Sequence, residues 1–530
     1  MMDRLTEQAQ LIDSLVRQLE AGGHEVTQFE THVSRVLLVG AYAYKFKKAL
    51  RLPFLDDATL EARRLHCEQE CQLNRRLAPG MYIGVVAVSG AIDQPVLGGA
   101  GAALEYAVKM HAFEQRALWG CRIADGVIDG GDIDRLAQIL ARFHNAATRA
   151  PDASAWGSAE TISAAFAGTL DELSTLAVEG DCADRLSALR EWEARERVRL
   201  KSRFWLRKAQ GMVRECHGDL HCDNVLTADG RVRVFDRIEF SDSLRWIDVM
   251  DDLAFICMDL AWRGRADFAA RLLNRYLEST GDYAGLAVLP YYRVHRALVR
   301  AKVMLLRSRQ RGIAKGARER YRKEGHAYLA FASQCMRPGH AALMVTHGYS
   351  GSGKTTLCRL LVEILGAVQI RSDIERKRLH VGPGYPGAAT PCWPMLYGAA
   401  ATRRTYRRLH SLAKEITGAG WPVLVDATCL MAAQRASFRA LAREMMVPFF
   451  LFDVRADQAT AAGRIVSRKD EGLDASDADV AVLERQIAEG EPLTPAEAAS
   501  AIVIDSAAGI SAERARRACA PVLATLLAES

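Results

Sequence analysis

Residues 216–224 read CHGDLHCDN, and two chemistries compete for the stretch. Two histidines, two cysteines and two aspartates within nine residues suit a transition-metal site. Asp219 followed five positions later by Asn224 instead has the spacing of a phosphotransfer catalytic loop. His217 and His221 would share a face only on a helix. Gly218 interrupts the segment, and no second Cys/His cluster nearby completes four ligands. Phosphoryl transfer needs a carboxylate that orients or deprotonates the acceptor hydroxyl, and oxygen ligands that hold Mg²⁺ on the nucleotide phosphates. Asp219 suits the first role and Asn224 the second. The next strand, in RVFDRIEF (233–240), supplies Asp236 twelve residues further on. A series of Asp, Asn, hairpin and Asp favours phosphotransfer, with His217 bracing the loop and Cys216, His221 and Cys222 packing.

Around this loop the chain is long and of ordinary globular composition. Its 530 residues exceed what one core can organise, so two or three domains are expected. A formal charge of +6 suits anionic small molecules as well as nucleic acid. Leu11, Ile12, Leu15, Val16 and Leu19 recur at helical spacing, so the N-terminal stretch reads as an amphipathic helix rather than an export signal. No apolar run reaches the roughly 20 residues of a membrane helix, and the scattered cysteines read as reduced thiols. These features predict a cytoplasmic protein with no membrane partner.

HVSRVLLVG (32–40) and YAYKFKK (42–48) predict an antiparallel strand pair, and residues 60–79 a helix ended by Pro79-Gly80. ALEYAVKM (103–110) is strand-like, and VLTADGRVRVFDRIEF (225–240) predicts a hairpin turning at Asp229-Gly230. A basic helical stretch (307–323) precedes the linker candidate MRPGH (336–340), which sets domains at 1–337 and 338–530. No aromatic stacking pattern accompanies that basic stretch, so nucleic acid is not an expected partner. Beyond it strands and helices alternate, as in a parallel sheet covered on both faces.

GYSGSGKT (348–355) matches G-x-x-x-x-G-K-[ST] between a predicted strand and a predicted helix. The backbone amides of Gly348, Ser350, Gly351, Ser352 and Gly353 can turn around phosphate oxygens at a helix N-terminus that Thr356 extends. Lys354 reaches the β/γ-phosphates, and Thr355 coordinates Mg²⁺. Asp426 ends the apolar strand of PVLVDAT (422–428), either as a metal-assisting carboxylate or as a merely buried or capping one. Asp373, just after another strand, either accepts a substrate proton or caps the following helix. Arg464 and Arg468 lie four apart on one helical face, closing over transferring phosphate or simply solvated. Together these residues resemble the small P-loop kinases related to gluconate kinase and zeta toxins, across about 340–530.

At Asp219, Asn224 and Asp236 the chain resembles the aminoglycoside phosphotransferase family, which includes choline-kinase-like enzymes. The resemblance implies an α+β, two-lobed, protein-kinase-like domain over about 25–335, here followed by an α/β P-loop NTPase domain with a parallel sheet. It also implies a strand lysine on the α/β-phosphates, Lys45 or alternatively Lys47, and a helix glutamate that positions it, Glu70 or otherwise Glu68. LEYAVKM (104–110) would be the hinge, His144 structural, and Asp252 a buttress of the catalytic loop, with Asp248 and Asp251 equally well solvated. DRI replaces the kinase DFG, and Gly40 alone stands where a protein kinase has a glycine-rich loop. The order of domains resembles proteins described as bifunctional aminoglycoside phosphotransferase/ATP-binding proteins. The resemblance implies ATP and Mg²⁺ as cofactors and a small hydroxylated acceptor. The alternative is a nucleotide-binding regulator with a pseudokinase domain and a P-loop switch.

Overall fold

The computed structural model describes residues 4–31, 33–52, 55–177, 181–310, 313–337, 339–381, 398–471 and 479–528. The chain forms two compact units. The first comprises residues up to 259 together with 295–332, the second 260–294 together with the residues from 333 onward.

The first unit opens with helix α1 (Arg4–Ala21), followed by strands β1 (Val26–Glu30), β2 (Ser34–Val39) and β3 (Tyr42–Lys47). Helix α2 (Leu60–Asn74) follows, then β4 (Tyr82–Gly90), β5 (Pro95–Leu97) and β6 (Glu105–His111). The six strands form one antiparallel sheet in the order β1-β2-β3-β6-β4-β5. Alternation along β3 decides what each face does. Tyr44 and Phe46 pack with Leu11, Ile12, Leu15 and Val16 of α1. Ala43 packs on the opposite face with Cys67 and Cys71 of α2. Lys45 and Lys47 share that second face and so point at α2.

Helix α2 stops at Asn74, five residues short of the predicted Pro79. The Asn74 side chain donates to the Glu70 carbonyl at 2.9 Å, while its own carbonyl accepts from Leu77 and Ala78. The predicted hairpin is present as β7 (Val225–Ala228) and β8 (Arg231–Val234), turning at Asp229 and Gly230, both at positive φ. The strand does not continue to residue 240. It ends at Val234, because Asp236 takes φ 62° and turns the chain out of the ladder. Helices α3 (Gly130–Ala146) and α4 (Val249–Trp262) lie in the helical remainder. The basic 307–323 stretch is not one helix, since one helix ends at Ser308 and the next starts at Lys315.

The second unit begins with α5 (Ala266–Thr280). Its five strands are β9 (Leu343–His347), β10 (Val368–Arg371), β11 (Val423–Asp426), β12 (Phe449–Arg455) and β13 (Ile502–Asp505). They run parallel in the order β10-β11-β9-β12-β13. Helices α6 (Lys354–Leu365), α7 (Ser372–Val381), α8 (Gln458–Glu471) and α9 (Val480–Glu489) lie among the connections. Met344, Leu424 and Phe452 meet Leu357, Cys358 and Leu361 of α6 in a buried core. Among the described residues no helix is long and apolar enough to cross a membrane.

Phe46 is 1% exposed and locks α1 to the sheet. Phe46→Ala should lower stability of the first unit by about 3–5 kcal/mol, measured by denaturant unfolding.

Candidate active sites

The loop carrying CHGDLHCDN is held from beneath by one carboxylate. Asp252, fully buried on α4, accepts the backbone N–H of His217 and of Gly218, each at 2.9 Å, and lies 3.1 Å from His144 Nε2 on α3. Burial pushes this carboxyl up, but the bonds to His144 and the loop outweigh burial and hold it at about 2. Gly218 sits at φ 88°, and a Cβ there would come within 2.6 Å of the Leu244 carbonyl, so the close approach demands glycine. The His217 ring lies 2.9 Å from the Phe235 carbonyl through Nε2 and accepts the Asp219 N–H through Nδ1. Burial lowers its pKa, which suits a neutral imidazole with the proton on Nε2. His144, Cys216 and Asp252 lie close enough to suggest a metal site. Burial pushes the Cys216 thiol well up, however, so it stays neutral, and Asp252 is already committed to three hydrogen bonds.

Above this support Asp219 is half-buried, its side chain 39% exposed. Asn224 donates to the Asp219 carbonyl at 2.9 Å and to its carboxylate at 3.2 Å. Burial raises the Asp219 carboxyl, but His221 and Arg300 outweigh it and hold the group well below the usual carboxylate range. It is therefore ionised at neutral pH. Hydrogen bonds from Phe235 to the Asn224 carbonyl, and from Ile238 to that of His217, staple the Asp236 segment to the loop.

Lys45 Nζ reaches Glu70 at 2.9 Å and also pairs with Asp236. Lys47 Nζ pairs with the other Glu70 oxygen at 2.6 Å and with Glu239. Burial opposes both ammonium charges, and the surrounding carboxylates outweigh it, so both lysines stay protonated. Glu70 is held at about 2, where burial is outweighed by the two lysines. Glu68 instead meets Arg64 on the surface. The structure thus brings Lys45 and Glu70 together with Asp236, and separately Asp219 with Asn224, and the three residues Asp219, Asn224 and Asp236 lie on one stapled loop system. The oxygens of Asn224 and Asp236 are hard donors of the kind a Mg²⁺ ion takes. At the end of β6, from His111 onward, a cleft of about 1120 Å³ is lined by Leu38, Gly40, His111, Phe113, Arg122 and Leu226, among others. Leu226 is two residues beyond Asn224, so the cleft opens next to the Asp219–Asn224 loop.

Several supporting residues carried no recognisable sequence signal. Arg237, fully buried in DRI, donates to the Cys216 and Glu215 carbonyls, and its N–H bonds Asn74 Oδ1 at the end of α2. Arg296 holds Asp251 through two bonds of 2.7 and 2.9 Å and reaches the Gly218 carbonyl. Asp259 accepts the Cys222 N–H. Asp248 and Asp251 are not solvated. Asp248 is buried against Arg207 and Asp251 against Arg296, because α4 lies in the core of its lobe.

In the second unit the chain leaves β9 through Gly348, Gly351 and Gly353, all at positive φ, and enters α6 at Lys354. A Cβ on Gly348 or Gly351 would strike the Val454 or Ala461 carbonyl. Lys354 is buried and donates to the Tyr349 carbonyl at 2.7 Å. Burial lowers its pKa, with Asp426 and Asp373 opposing. Ser350 bonds Gln486 of α9 through both its N–H and its hydroxyl, Ser352 is buried, and Thr355 and Thr356 open α6. Asp426 is buried at the end of β11 and hydrogen-bonded with Thr355. Burial raises its carboxyl against Arg371 and Lys354. Asp373 lies in the first turn of α7 and acts electrostatically on Lys354. Arg464 does not reach into open space. It donates to Ser506 Oγ at 2.9 Å and to the Ser506 carbonyl, tying α8 to the strand end beside the loop. Arg468 falls in α8, and its side chain lies outside the described residues.

Comparison with known proteins finds two domain families along the chain. Residues 57–289 match the phosphotransferase enzyme family, and residues 343–493 match an AAA domain. A choline/ethanolamine kinase family protein from Mesorhizobium loti aligns with 63% of this chain and 99% of its own, at 12% identity and a TM-score of 0.36. A gluconokinase from Sinorhizobium meliloti aligns with 36% of this chain and 97% of its own, at 17% identity and a TM-score of 0.26. The molecule is an ATP-dependent phosphotransferase of the kinase class, with a kinase-like domain followed by a P-loop domain built on a parallel sheet. The uncharacterized proteins Rv2004c of Mycobacterium tuberculosis and Mb2027c of Mycobacterium bovis are each 31% identical over 453 residues, 84% of this chain and 87% of theirs. The chain belongs to the family of these proteins.

Depression of the Asp252 pKa from 3.8 to about 2 contributes about 2 kcal/mol at neutral pH. A group with a lowered folded pKa stabilises above its unfolded value and loses that contribution as pH falls through its folded one. The stability advantage over Asp252→Asn should therefore shrink between about pH 4 and pH 2, followed by denaturant unfolding at each pH.

Proposed function

We propose that each domain transfers the γ-phosphoryl group of Mg·ATP to a hydroxyl of a small molecule, in the cytoplasm, with the domains divided near residues 337/338 apart from segment 260–294, which packs in the P-loop unit. The observation that carries this is the meeting of Lys45, Glu70 and Asp236, which lie far apart in sequence, beside the Asp219–Asn224 pair. Such convergence fits a phosphate clamp next to a carboxylate, the two things phosphoryl transfer requires.

In the first domain Asp219 orients the acceptor hydroxyl and takes up its proton as the hydroxyl oxygen bonds the γ-phosphorus and the bond from that phosphorus to the bridging oxygen breaks, releasing ADP. Lys45 leaves Asp236 for the α/β-phosphates, and Glu70 keeps it in place. Lys47 remains on Glu70 and Glu239, so Glu70 stays anchored while Lys45 changes partner. Asn224 and Asp236 would hold Mg²⁺, which neutralises phosphate charge when bound. In the second domain Gly348 to Thr356 cradle the phosphates, and Lys354 leaves the Tyr349 carbonyl to meet them. Thr355 and Asp426 would hold the metal, and Asp373 receives the acceptor proton. Arg464 steadies the loop through Ser506, and Arg468 on the same helix supplies positive charge to the transferring group. The full set around Asp219 argues against the regulatory alternative, in which the first domain only binds nucleotide.

Asp219→Ala should abolish transfer by the first domain, a loss of at least about 10²-fold, while leaving nucleotide binding intact. Lys354→Ala should disable the second domain alone. ATP consumption across a panel of sugars, amino alcohols, nucleosides and aminoglycosides checks both. A double variant that consumes ATP at the unaltered rate would contradict the proposal.

A further inference from the structure

The second unit contains a segment that the domain matches assign elsewhere. Residues 260–289 lie within the phosphotransferase-family match, yet 260–294 belong to the compact unit of the P-loop sheet. Strand β10 is an edge of that sheet, and α5 serves it as a neighbouring strand would. Asn274, 8% exposed on α5, accepts the Gln369 N–H at 2.7 Å and donates to the Ala367 carbonyl at 2.9 Å. Glu278, one turn further along α5, pairs with Arg371 at 2.6 Å. Leu286 gives its carbonyl to the Trp421 indole at 3.1 Å.

The contacts continue inward to the site. Gln369, fixed at its backbone by Asn274, donates its side-chain amide to Asp426 Oδ2 at 2.8 Å. Arg371, fixed by Glu278, lies 3.7 Å from the same oxygen. Asp426 is buried and hydrogen-bonded with Thr355. Its orientation toward the phosphate loop is therefore set by two residues of β10, and each of these is held by α5.

We propose that segment 260–294 is a working part of the P-loop site, in which Gln369 is a positioning residue for Asp426 and Asn274 and Glu278 lock β10 in the register this requires. The inference rests on the reading of Asp426 as a metal-holding carboxylate. A residue that orients a ligand from behind typically changes metal affinity by about 10–100-fold when removed. Metal-free nucleotide binding, which relies on the loop amides and Lys354, does not depend on it.

The test uses the full chain with the first site silenced by Asn224→Ala and Asp236→Asn. Mn²⁺ binding is followed by electron paramagnetic resonance in the presence of a non-hydrolysable ATP analogue, and binding of the analogue is measured again in EDTA. Gln369→Leu should weaken Mn²⁺ about tenfold or more and leave the EDTA affinity unchanged. Gln369→Met, equal in length, serves if leucine does not fold. Asn274→Leu should act in the same direction, and Asn274→Asp, which keeps the acceptor for Gln369, should restore part of the loss. Unchanged Mn²⁺ affinity in these variants would overturn the proposal, as would equal losses with and without metal. If Asp426→Asn itself leaves Mn²⁺ affinity unchanged, the reading of Asp426 falls instead.

Discussion

The buried carboxylate of Asp252 is the point from which the first site is built. Two successive backbone N–H groups, of His217 and Gly218, end on it, and His144 meets it from another helix. Such an arrangement needs a residue without a Cβ at 218, an ionised acid at 252 and a neutral imidazole at 217. With those satisfied, Asp219 is presented half-exposed, and Asn224 is drawn back onto it. The shape of CHGDLHCDN is thus a property of the support beneath the loop as much as of the loop. Its histidines and cysteines serve that support.

A second constraint joins the lobes of this unit. Glu70 divides its two oxygens between Lys45 and Lys47, while Asp236 and Glu239 take the outer side of the same two lysines. The pleat of β3 places both ammonium groups on one face, so a single helix acid serves both. Arg237 extends the connection by bonding Asn74 at the end of α2 and the carbonyls just before His217. Where a protein kinase has DFG, this chain therefore has an acid followed by an arginine that ties helix to loop.

Much of this was legible in the sequence, and the failures have physical causes. Asp219, Asn224 and Asp236 stood out by their spacing, and the glycine loop stood out because its close backbone approach leaves no room for a Cβ at Gly348 or Gly351. The antiparallel pair at 34–47 and the parallel strands after 343 followed from apolar patterning. Asp248 and Asp251 stayed open between support and solvation because their partners, Arg207 and Arg296, are dozens of residues away, and a charged letter does not reveal a distant counter-ion. The early end of α2 and of β8 depended on the side-chain bond of Asn74 and the positive φ of Asp236, neither of which is a turn signal in composition. The recruitment of α5 to the P-loop unit was invisible for a similar reason. Its contacts with β10 run through Asn274 and Glu278, which look like ordinary polar residues of an amphipathic helix.

The central claim is that one chain carries two separate nucleotide sites. Titration calorimetry of the full chain with a non-hydrolysable ATP analogue and Mg²⁺ tests it most directly. Two equivalents are expected to bind per chain, falling to one when Lys354 is replaced by alanine. A single equivalent in the unaltered chain would contradict it.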